Sequence, residues 1–231
     1  MQCQQNPLFY FRLFRYLSSI KHCKVYEHAT TSMDKFMELG LVTLFKAFWS
    51  EHVQMYTQPD DWSSLPKDTI EALYHLSMAL WFISANPKHM LSLFEELCEF
   101  LISIISSGLF KKTNENKRVA DILKAFLGML YQFAKSIDKT KEVLRSGGGL
   151  GHIQRIGSNS SGFNRNIKGR SLMILAYILN ETEQRQMKIS ESMISFLLHL
   201  LQECLNQEDH RSLTFNYNAL EIVVGEFFVL M

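Results

Sequence analysis

The chain has 231 residues, 47% of them hydrophobic, which is enough apolar surface for a substantial core and too much for a disordered tail. Its 24 lysines and arginines nearly cancel 23 acidic residues. No broad field is therefore available to draw phosphate backbones or anionic lipid, and neither nucleic acid nor a membrane surface is expected as a partner.

Apolar residues recur at helical spacing along nearly the whole chain, and alternating runs bounded by turn residues are missing. Near the N-terminus, a helix is expected over 8–24. Its stretch from Leu8 to Leu17 is rich in Phe and Tyr but interrupted by Arg12 and Arg15, so it does not read as a secretory signal. The reading for residues 1–32 is a helical cap. A second helix is expected over 33–56, followed by a break at Gln58, Pro59, Asp60 and Asp61. The next two helices are expected over 67–84 and 88–107, divided at Asn86 and Pro87. The long apolar segment from Met90 to Phe110 carries Glu95, Glu96 and Glu99, each costing about 2–3 kcal/mol at a bilayer centre, so it is not a membrane span.

The four prolines lie at positions 7, 59, 66 and 87, so no proline bars a helix interior after Lys88. Helices are expected over 117–135, 140–145, 150–157, 167–180, 192–206 and 213–230. Turns fall at Gly147 to Gly149 and at Ser158 to Gly162. Asp60 or Asp61, Asn86, Asn116 and Ser190 stand where they can cap a following helix. Cys3, Cys23, Cys98 and Cys204 are widely spaced and read as free thiols in a reducing compartment; the expected location is cytoplasmic.

The helices fall into two alternating kinds. One carries a small residue inside a long apolar stripe: Ser77, Gly128, Ala176 and Gly225, separated by 51, 48 and 49 positions. The other starts from a Gly or small polar residue and continues as spaced leucines or isoleucines, near Glu38, His89, Gly148 and Ser192. About four units of roughly 50 residues fit the chain. A small residue in mid-helix lets a neighbouring helix approach closely, and a hairpin with two apolar faces must stack on another. The expectation is an all-α, right-handed α-solenoid of about four helical repeats over 33–231.

The run from Val143 through Gly147, Gly148 and Gly149 to Leu150, then Ile153 and Ile156, resembles the turn into the final helix of an armadillo repeat. The segment from Ile167 to Asn180, leaving through Glu181, Thr182 and Glu183, resembles the next repeat's middle helix. Met37 to Leu44 is similar to the same turn, and Asn218 to Gly225 to the opening of another middle helix. HEAT-type repeats share this character. The resemblance implies an interaction surface lined by the final helices. Peptide-gripping members present an asparagine ladder there, whereas this chain has no Asn from Leu41 to His52 or from His89 to Leu109. What is implied is therefore the architecture and a general binding role, not a defined ligand.

Residues off the apolar stripes of those final helices are Lys46, Ser50, Glu95, Glu99, His152, Arg155, His199 and Gln202, a set of mixed charge. They are the candidate contacts for a protein partner. No catalytic constellation emerges. Gly147 to Gly151 lacks the preceding strand and the lysine of a phosphate loop. His22, Cys23 and His28 fall short of a closed zinc set. Cys204 and His199 lie on different sides of one helix, and Cys98 follows Glu95 and Glu96, whose charges disfavour a thiolate. Asp60 and Asp61 read as loop and cap residues. No cofactor or metal is expected.

The leading expectation is a non-enzymatic scaffold or adaptor. The alternative is a regulatory, autoinhibitory repeat region of a larger signalling protein or enzyme, and a third reading is a helical domain whose site assembles from distant residues. The apolar ending, Phe227 to Met231, points to a stack that continues in a longer protein or self-associates through this face.

Overall fold

A computed structural model describes residues 33–54, 65–107, 110, 116–158 and 163–186. The expected cap over 1–32 and the expected helices over 192–206 and 213–230 lie outside the described residues, as do the caps at Asp60, Asp61 and Ser190.

Within the described residues the protein is helical and contains no strand. Helical residues 33–38 lead to α1 (Leu41–His52), followed by α2 (Lys67–Ser84), α3 (Pro87–Ser106), α4 (Lys117–Ser136), α5 (Lys139–Ser146), α6 (Gly149–Gly157), α7 (Arg165–Ile178) and α8 (Glu181–Gln186). The helix expected over 33–56 is thus two segments. Gly40 divides them by taking φ 77°, the left-handed region that glycine enters without a Cβ penalty. The apolar period runs through this break without a change of phase, which is why the pattern read as continuous.

Side-chain caps set several helix starts. Asn86 accepts from the Lys88 N–H, with Pro87 behind it as the first helical residue. Asn116 accepts from the N–H groups of Arg118 and Val119, and Asn164 from that of Ile167. Asn180 and Glu183 cap α8 reciprocally: Glu183 N–H donates to Asn180 Oδ1 at 2.9 Å and Asn180 N–H to Glu183 Oε2 at 2.8 Å. That helix was expected only as an exit from α7.

The glycine turn falls as expected, with Gly147 closing α5 and Gly148, at φ 70°, opening α6. Gly149 lies so near α3 that a Cβ there would meet Ile102 Cγ2 at 2.8 Å.

Two sequences of contacts organise the helices: α2 packs on α4 and α4 on α7, while α1 touches α3 and α3 touches α6. Between them lies an aromatic core. Phe45 of α1 meets Phe126 of α4 at 5.9 Å and Phe100 of α3 at 5.7 Å, and Phe110 meets Phe126 edge-on. Among the described residues no helix is long and apolar enough to cross a membrane.

Candidate interaction surface

Helices α1, α3 and α6 each bury one stripe and leave another open. In α3 the buried stripe runs through Leu93, Phe94, Leu97, Cys98, Leu101, Ile102 and Ile105. The intervening positions Leu91, Ser92, Glu95, Glu96, Glu99 and Ser103 are exposed, as 3.6-residue periodicity requires. Ser50 on α1 and Arg155 on α6 are exposed as well. Six of the eight sequence-derived candidates, Lys46, Ser50, Glu95, Glu99, His152 and Arg155, therefore lie on three helices that contact one another in order. His199 and Gln202 lie outside the described residues.

Two candidates are partly covered rather than freely solvated. Lys46 is half-buried, with Nζ 5.8 Å from the centroid of Phe100 on α3, so its aliphatic stem covers the aromatic core while its charge faces the ring. His152 is half-buried too, and Arg155 Nη2 donates to its Nδ1 at 3.0 Å, which places the neutral ring's proton on Nε2. Burial first, and the Arg155 charge second, hold His152 below the ordinary histidine pKa, so it is neutral at pH 7.

Ion pairs join elements distant in sequence. Asp34 receives Lys88 Nζ at 2.5 Å and His89 Nε2 at 2.6 Å, tying residues 33–38 to the start of α3; the hydrogen bond from Lys88, followed by that from His89, lowers the carboxyl pKa. Glu71 of α2 accepts from Arg118 Nε of α4 at 2.7 Å, and the guanidinium lies 4.2 Å from the Tyr74 ring centroid. Arg145 of α5 grips Glu183 of α8 through both terminal nitrogens, at 2.8 and 2.6 Å, and Nη2 also reaches the Ile178 carbonyl. This hydrogen bonding, with the Asn180 N–H, pulls Glu183 down to about 2.

Cys98 is buried, and burial, with the Glu99 charge a smaller cause, pushes its thiol up to about 12. Glu95 and Glu96, the neighbours singled out from sequence, are not the source of the shift. Among the described residues no group of three or more His, Cys, Asp or Glu side chains is placed to hold a metal ion.

The sequence reading missed two features. Leu91 is 59% exposed beside the α3 carboxylates; its position on the polar stripe was the available signal. Arg170 is only 4% exposed, within the apolar packing of α7. Its guanidinium lies 4.3 Å from the Trp81 ring centroid and Nη1 donates to the Lys124 carbonyl at 2.9 Å. Burial lowers its pKa to about 9, which still leaves it charged at neutral pH.

Comparison with known proteins adds no relative: no family model, no curated protein and no solved structure matches the chain.

Proposed function

We propose that the chain is an armadillo-like α-solenoid that acts as a non-enzymatic scaffold, binding a protein partner across the open stripes of α1, α3 and α6. The observation that carries this reading is the exposure of Ser50, Glu95, Glu99 and Arg155 on three successively contacting helices, each of which also buries a stripe in the core. These helices together expose carboxylates, a guanidinium and a leucine. Such a mixture suits a polar rim around an apolar anchor better than it suits a phosphate backbone. The glycine turns at Gly40 and Gly148, each opening one of these helices, support the repeat assignment.

Site-specific photo-crosslinking in cells tests the proposal. A crosslinking residue is placed in turn at Ser50, Glu95, Glu99 and Arg155, with Asp68 on α2 as the reference position. The proposal expects one protein to be captured from the four surface positions and not from Asp68. Unrelated captures at each position, or equal capture at Asp68, would count against it, and so would substrate turnover by the purified chain.

A further inference from the structure

We propose that Arg170 is a register key that fixes α7 against α4 and makes α2, α4 and α7 open as one cooperative unit. In a helix, side chains lean toward the N-terminus and cover the carbonyls three and four residues earlier. The carbonyl of Lys124 would be covered by residue 128, and that residue is Gly128, the only glycine in α4. Nη1 of Arg170 reaches the exposed oxygen at 2.9 Å. A Cβ at position 128 would stand 2.6 Å from that nitrogen and 2.5 Å from Trp81 Nε1, so the space left by the missing side chain is the space that the guanidinium and indole fill.

This arrangement specifies position rather than merely adding attraction. A slip of one turn, about 5.4 Å, would carry the guanidinium toward Lys124 and Ala125 in one direction or Tyr131 and Gln132 in the other, where side chains cover the backbone. Trp81 stacks on the guanidinium from α2, so one side chain engages three helices. Burying a charge is costly, and an apolar replacement often does as well for bulk stability; what such a replacement lacks is the directional bond to one carbonyl.

Native-state hydrogen exchange on the full chain tests the key. In the wild type, protected amides of α2, α4 and α7 are expected to exchange through a common opening. In R170M, which keeps length and apolar bulk, amides of α7 should exchange faster relative to those of α4 by about tenfold or more, the factor expected for losing one charge-assisted hydrogen bond. R170K should fall between the wild type and R170M, because an ammonium can still donate to the Lys124 carbonyl but lacks the planar stack on Trp81. If α7 opens independently of α4 in the wild type, or if R170M folds with the ratio of α7 to α4 exchange unchanged, the proposal fails. Should R170M not fold, the wild-type exchange pattern and the W81F variant decide the matter: W81F, losing the wider stacking surface, must accelerate α7 relative to α4.

Discussion

Helices α3 and α4 have the same length and pack against each other, yet they use their residues differently. α4 buries 13 of its 20 residues and α3 only 9. The surplus in α4 follows from its neighbours, since α2 and α7 press on it from two sides while α3 lies along a third. One glycine and one buried arginine then occupy a position where an ordinary apolar contact could have stood. α3 keeps a polar stripe that no described helix covers. Burial is thus concentrated in α4, whereas α3 carries the open stripe proposed above for recognition.

Substitutions should separate these roles. The largest effect is expected from F126A. Phe126 has no exposed surface and its ring meets Phe45, Trp49 and Phe110, so the cavity should cost about 3–5 kcal/mol in chemical denaturation. G128A should follow. Alanine gains about 1 kcal/mol in helix propensity, but the clash with the Trp81 ring and Arg170 costs about 1–3 kcal/mol, so a net loss is expected. A G128A protein more stable than the wild type would show that the site has slack and that the contrast with α3 is overstated. N116A, which removes the cap of α4, should cost about 1 kcal/mol.

The α5 to α8 pairing gives a pH signature. Glu183 titrates near 2 when folded against an ordinary value of 4.5, so the folded state binds its proton less readily than the unfolded chain. The pairing's contribution is present above about 4.5 and fades as pH falls toward 2. Acid titration of E183Q should therefore show a shallower loss of stability across that window than the wild type does. E95K/E99K should change stability least, within about 0.5 kcal/mol, because both side chains are exposed.

Helical character, the boundaries of α2 and α4, and the caps at Asn86 and Asn116 were legible because each rests on local chemistry: apolar period, turn residues and a short polar side chain before a helix. The division at Gly40 was hidden by an apolar period that persists in phase across it. Gly128 was legible as a point of close approach, yet the identity of its occupants was not. Trp81 and Arg170 lie 47 and 42 residues away from it, and nothing in the local pattern of α7 distinguishes a buried arginine from a solvated one. The open stripe of α3 followed from periodicity. The half-burial of Lys46 and His152 did not, since it depends on Phe100 of another helix and on the packing of α6.

If the open stripes of α1, α3 and α6 bind protein as proposed, affinity for the crosslinked partner must respond to charge reversal of the surface. With E95K/E99K melting as the wild type does, affinity should fall at least tenfold, about 1.4 kcal/mol, while a control reversal at Asp68 on α2 leaves binding unchanged. Undiminished binding by the folded E95K/E99K protein would contradict the proposed binding.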